Sequence, residues 1–332
     1  MQPSNVGQGD MMESTAFDTS TSAGAIKIKD GEISRNEKDA LWQTIPANSR
    51  SRRRLMQQTL FTFFRTAAFI NGMALTLVIV FIFLNGWEAI SWEFLSQFPR
   101  NAMTEGGILP CIFGTFCLSG GALIVAFPIG VASAIYLNEY ARPGPMLRLI
   151  RLGINNLAGV PSVVFGLFGQ AFFVIYLDLK VSLVSGALTL GAMSLPVIIG
   201  ATEEALRAVP DTYREASLGL GATKMQTIFR VVLPTAMPGI LTGGILGLSR
   251  AAGETAPIMF TAAVFFTPCL PKSVFDELMA LPYHIYVLAT AGTEIEATRP
   301  LQYGTALVLI CLVLGMNVIA IVYRSHLRQK HK

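Results

Sequence analysis

Six stretches of this chain run for about 20 residues or more almost without charge, and that property limits the fold more than any other. They are Thr66–Gly86, Gly106–Asn138, Leu152–Leu177, Val181–Thr202, Val231–Ser249 continuing past two charges to about Phe266, and Pro300–Tyr323. As a helix, each can cross about 30 Å of hydrocarbon. The second run exceeds one bilayer thickness and holds Pro128, so it should tilt, kink or begin with an interfacial turn. In the fifth, Arg250 and Glu254 could instead mark a hairpin between two shorter spans.

Charge decides between six spans and seven. Only 14% of residues are charged, against about 25% in a soluble domain, so the chain is an integral membrane protein. With six spans, Arg50, Arg52–Arg54 and Arg65 share one side with Arg142, Arg148, Arg151, Arg207, Arg214, Lys224, Arg230, Arg324, Arg328, Lys330 and Lys332. Seven spans would send the basic C-terminal tail outward, against the positive-inside rule. Both termini are therefore expected in the cytoplasm, with a loop at 203–234 on the same side and a loop at 267–299 outside. The outer loop carries Phe275, Leu278, Ile285 and Tyr286 around Pro282, too short and interrupted to span, which suggests a re-entrant or interfacial helix over the outer mouth.

Residues 1–55 are rich in Ser, Thr, Gly, Asn and charge, and are expected to be a disordered cytoplasmic segment before a permanent membrane domain at 56–332. No short apolar core near the start marks a cleaved signal. Cys111, Cys117, Cys269 and Cys311 form no Cys-x-x-Cys pair, and His284, His326 and His331 are scattered, so neither a disulfide framework nor a metal site is expected. No basic patch is interleaved with aromatics for nucleic acid. The chain also lacks Gly-x-x-x-x-Gly-Lys-Ser/Thr, His-Glu-x-x-His and Gly-x-Ser-x-Gly, so it should be no enzyme and hold no cofactor of its own.

The loop between the fourth and fifth spans reads as two short helices. Asp211 after Pro210 can cap the first, Gly219 and Gly221 offer left-handed conformations to end it, and Thr223 with Gln226 fits a capping box for the second. Leu233-Pro234 should close the segment where the chain re-enters lipid. Glu203, Glu204, Asp211, Arg207 and Arg214 read as a solvated, salt-bridged face.

Glu215-Ala216-Ser217, three residues, Gly221, nine residues, Val231, then Leu233-Pro234 resembles the EAA loop of binding-protein-dependent ABC importer permeases. Ser217 stands for the family's second Ala and Val231 for its Ile. Leu157–Gly166 (LAGVPSVVFG) and Arg250–Pro257 (RAAGETAP) are similar to the PstA family of phosphate permeases, the Gly-Glu-Thr-Ala-Pro ending favouring it over the PstC partner family. The resemblance, from about Thr66 onward, implies an all-α integral membrane protein of the type I ABC importer permease fold. It would have six transmembrane helices and a cytoplasmic helix-turn-helix coupling loop in the bacterial inner membrane. Glu215, Ala216, Gly221, Leu233 and Pro234 would then meet an ATPase. The implied partners are a PstC-like second permease, two PstB-like ATPase subunits that bind ATP and Mg, and a soluble PstS-like phosphate-binding protein. Sulfate, molybdate or phosphonate remain alternative solutes.

An Arg at the centre of a spanning helix costs about 2.5 to 3.5 kcal/mol and should face water or a partner. Arg250 and Glu254, four residues apart, could share a helical face; they are read as an anion-responsive gate or as a fixed structural pair. Thr255, Asn155, Asn156 and Ser162 are further pathway candidates, the last three flanking Gly159-Val160-Pro161, where a freed carbonyl could line a cavity or be packed. Gly243, Gly244 and Gly247 fit close helix contact. A stand-alone secondary transporter or channel is the competing reading; it would need paired inverted repeats.

Overall fold

Helices satisfy backbone hydrogen bonds locally, which is what apolar runs at bilayer depth require. The computed structural model describes residues 47–100, 103, 105–267, 269–291 and 295–330, and in it the runs are helical. The chain divides into two compact units, one ending at Met73 and the other beginning at Ala74. In chain order the helices are α1 (Ala47–Gly86), α2 (Trp92–Ser96), α3 (Leu109–Ile135), α4 (Pro145–Ala158), α5 (Ser162–Gly169), α6 (Leu183–Arg207), α7 (Asp211–Gly219), α8 (Lys224–Thr227), α9 (Leu233–Gly253), α10 (Ala256–Thr261), α11 (Leu281–Thr290) and α12 (Ile295–Lys330). Wider π turns extend α3 to Tyr140 and α5 to Tyr176, and join α8 to α9 through Ile228–Val232. Among the described residues, five helices are long and apolar enough to cross a membrane, and the count is six if the bent pair of α4 and α5 is one broken span.

The core of the second unit is α6, packed between α3 and α9. Small residues set the spacing, since a Cβ on Gly239 would stand 2.5 Å from that of Ala205, and one on Gly243 2.8 Å from that of Ala201. Such a row lets two backbones approach where lipid supplies no hydrophobic drive for helix association. Two buried hydroxyls on α6 are satisfied within the helix: Thr189 donates to Ser185 O at 2.7 Å and Ser194 to Leu190 O at 2.8 Å. Beyond α9 the chain folds inward. Leu278, Met279, Ala280 and Leu281 are buried, and Thr115 on α3 accepts the Leu281 N–H at 2.8 Å. α11, with Pro282 in its first turn, therefore packs into the bundle.

Several boundaries differ from the sequence reading. Residues 47–55, expected to be disordered, begin α1, because no Gly or Pro interrupts the chain between Ala47 and Gly72 and Arg, Gln and Leu favour helix; residues 1–46 lie outside the described residues. The run 152–177 is not one straight span. It breaks at 159–161 with a bend of 101°, because Pro161 has no N–H to donate and holds Val160 out of the helical region. The fifth span does not reach Phe266: one continuous helix runs from Lys224 to Gly253, and Glu254 is extended at φ −79°, ψ 134°. Pro128, by contrast, sits inside α3 without ending it.

Candidate functional site

The loop between α6 and α9 folds as a hairpin whose turn is set by Gly221 at φ +82°, a conformation that costs any side chain about 1 to 2 kcal/mol. Gly219 is an ordinary helical residue, so only one of the two expected left-handed glycines serves. Asp211 does not cap α7. The N-cap is Pro210, which has no side-chain donor or acceptor, and Asp211 places its charge in the first turn instead. The capping box of α8 forms, with Thr223 N donating to Gln226 Oε1 at 2.9 Å and Gln226 N to Thr223 Oγ1 at 3.3 Å. The second arm does not end at Leu233-Pro234. The π turn absorbs the N–H missing at Pro234, and the helix runs on into the bundle.

Glu215, Ala216 and Gly221 lie exposed on this hairpin, whereas Leu233 and Pro234 are half-buried where it joins the bundle, Leu233 against the cluster of Leu206, Val232 and Ile240. The structure adds apolar groups that sequence reading passed over. Leu220 is 90% exposed and Met225 62%, with Tyr213 and Leu218 also open, apolar side chains that water does not favour. Their signal was an apolar residue at each side of a surface turn.

The hairpin is fastened by Arg214. Its guanidinium meets Glu139 at 2.8 Å (Nη2 to Oε1) and 3.4 Å (Nε to Oε2) and donates to Val209 O at 2.8 Å, Asp211 Oδ1 at 3.2 Å and Leu206 O at 2.9 Å. Glu139 lies on the π turn ending α3, and only 17% and 8% of the Arg214 and Glu139 side chains is exposed. Arg214 is therefore a buried clamp between α7, the end of α6 and the end of α3, and the solvated face expected for it is corrected. Lys224 lies 5.2 Å over the Tyr140 ring beside it. Ser217 is 2.9 Å from Thr227 Oγ1, tying the two arms together.

A second region lies halfway along α6. Gly247 packs on Ile198 and Ser194, and one turn further Arg250 Nε stands 3.6 Å from Glu254 Oε1, with 38% and 20% of the two side chains exposed. Glu254 is the C-cap, so the pair keeps the i,i+4 spacing of a helical face at the point where the helix ends. The break in α4–α5 comes to the same level: Val160 packs on the cluster containing Ala251 and Ile258, and Gly166 lies against Ala256 and Pro257. Ser162 opens α5 there, and Thr255 precedes α10. Two helix breaks thus meet about halfway along α6.

Asn155 and Asn156 do not join that group. Asn155 lines a cavity of about 190 Å³ with Arg151, Glu203 and Arg207 toward the hairpin end, where Glu203 pairs with Arg207 at 2.8 Å and Arg151 at 3.5 Å. Asn156 uses its carbonyl to accept the Gly159 N–H at 3.0 Å. Among the described residues no group of acidic, His or Cys side chains could hold a metal ion.

The sequence profile of the family described as binding-protein-dependent transport system inner membrane component matches residues 126–332. The phosphate transport system permease protein PstA 1 of Mycobacterium tuberculosis (strain CDC 1551 / Oshkosh) is 36% identical over 278 residues, 82% of this chain and 90% of the relative. The phosphate transport system permease protein PstA of Mycobacterium leprae (strain TN) is 35% identical over the same length, covering 82% and 90%. Among solved structures, the inward-facing MetNI methionine ABC transporter superposes with a TM-score of 0.56 at 19% identity, covering 66% of this chain and 95% of that one.

Proposed function

This chain belongs to the binding-protein-dependent transport system inner membrane component family, as a type I ABC importer permease subunit, and from that premise we propose that it forms half of the membrane pathway for inorganic phosphate. A second, PstC-like permease completes the pathway in this reading. Two PstB-like ATPase subunits supply ATP, Mg and the hydrolytic chemistry, and a PstS-like binding protein delivers solute from outside. The chain itself breaks no bond and holds no cofactor. The hairpin at 211–232 faces the cytoplasm with both termini, its tip side chains Leu220 and Met225 entering a groove on the ATPase while Glu215, Ala216 and Gly221 set its shape.

The observation that carries the solute reading is the one ion pair, at 3.6 Å, that Arg250 makes among the described residues. An arginine held by one long, partly exposed pair can exchange its carboxylate for a phosphate oxyanion, whose bidentate geometry a guanidinium matches. Glu254 then restores neutrality when the site empties. Ser162 and Thr255 offer hydroxyls at the same level. Relatives of the same name over most of the chain favour phosphate above other oxyanions.

The test is radiolabelled uptake by the reconstituted complex. Arg250→Gln should insert and assemble normally yet lose phosphate uptake by a factor of 100 or more, on the order of 3 kcal/mol for a lost charge-assisted contact. Uptake within a few-fold of wild type would return Arg250 and Glu254 to a structural pair. Competition by sulfate or molybdate in the wild type would replace the solute but leave the machine.

A further inference from the structure

We propose that the groove between α3, α9 and α12 holds one acyl chain of an anionic phospholipid from the leaflet at the hairpin end, with the lipid phosphate seated on Arg324. The groove has a volume of about 200 Å³ and is lined by Leu123, Phe127, Gly244, Ile245, Leu248 and Ala320, among others. Almost no polar atom faces it, so ordered water has nothing to bond there. An empty groove of that size would forfeit dispersion contact on every wall. The apolar material at hand in a bilayer is a lipid tail.

Charge selects which lipid. On α9 the groove covers residues 241–248, about 10 Å along the axis. Arg324 sits at its hairpin-side end, one residue beyond lining residue Tyr323, donating to Thr242 Oγ1 at 2.7 Å. That hydroxyl is neutral. No ion pair among the described residues includes Arg324, and the sequence has no acidic residue after Glu296. The half-buried guanidinium therefore keeps further N–H donors where the lipid headgroup begins, and a long arginine can reach that level from an apolar wall. Phosphate at that end and tail along the groove satisfy both halves of one amphiphile.

The experiment uses the full chain in its purified complex, reconstituted in nanodiscs with phosphatidylglycerol or phosphatidylcholine carrying a photoactivatable diazirine on the acyl chain. Wild type should be labelled within 241–248 and 320–323, phosphatidylglycerol exceeding phosphatidylcholine about fivefold, the preference expected of one basic residue near an anionic surface. Arg324→Gln should bring that ratio to about one while the groove still labels. Ala320→Trp should fill the groove and remove both labels; if that variant fails to insert, Leu248→Phe should reduce them. Equal wild-type labelling by the two lipids overturns the headgroup assignment. Labels unchanged by filling, or a crosslink from Ala320 to another subunit with no lipid label, overturns the groove as a lipid site.

Discussion

Arg214 and Arg250 carry the same charge in one chain and are held in opposite ways. Arg214 is bonded at five points by groups from three elements and is largely buried with its carboxylate. Among the described residues Arg250 has one ion pair, at 3.6 Å with a residue just past its own helix end, and more than a third of it is open. An over-determined arginine fixes geometry, because moving it breaks several bonds at once. A single-contact arginine can change partner at small cost. The α7 arm of the hairpin is thereby fastened to the ends of α3 and α6, while the Arg250 pair rests on a single long contact.

That contrast can be broken by substitution, most severely at the clamp. Arg214→Ala leaves Glu139 buried without its partner and should cost about 3 to 5 kcal/mol, seen as a large fall in thermal stability and loss of the ATPase from the purified complex. Unchanged stability would make the clamp superfluous. Gly221→Val forces a β-branched residue to positive φ and should cost about 1 to 2 kcal/mol, concentrated in the hairpin; ATPase co-purification should drop while the spans stay folded. Ser217→Ala removes one hydroxyl contact to Thr227 and should cost about 1 kcal/mol, with uptake retained. Arg250→Gln should change stability least, by about 0.5 kcal/mol or less, although it is the variant expected to stop uptake. A stability loss there comparable to that of Arg214→Ala would erase the distinction.

The spans were legible because the bilayer imposes a length and forbids charge, and any chain that obeys shows it in its composition. The hairpin was legible too: Thr223 and Gln226 carry their capping bond within four residues, and Gly221 stands where only glycine is comfortable. The clamp was not, because Glu139 and Arg214 are 75 residues apart. A carboxylate at the head of the basic stretch Arg142, Arg148 and Arg151 was the available hint. Pro161 signalled an interruption, but whether a proline bends a helix or is absorbed depends on neighbours, as Pro128 inside α3 shows. The spacing of Arg250 and Glu254 was read as helical geometry and the pair forms at that spacing, but the end of the helix at Gly253, directly before Glu254, was not foreseen.

The uninterrupted Lys224–Gly253 helix has the proportions of a lever. From Lys224 to Arg250 is about 39 Å at 1.5 Å per residue, and the tight seat of Gly239 and Gly243 on α6 makes a fulcrum roughly two-thirds of the way along. A sideways push of about 4 Å at the hairpin end would swing the far end by about 2 Å, in the opposite direction. Arg250 and Glu254 both ride on that far end, so the swing would carry the pair as a unit past α6 and the α4–α5 break. The gearing reduces travel and multiplies force, so a strong, short stroke at one membrane face becomes a small, decisive one at the centre.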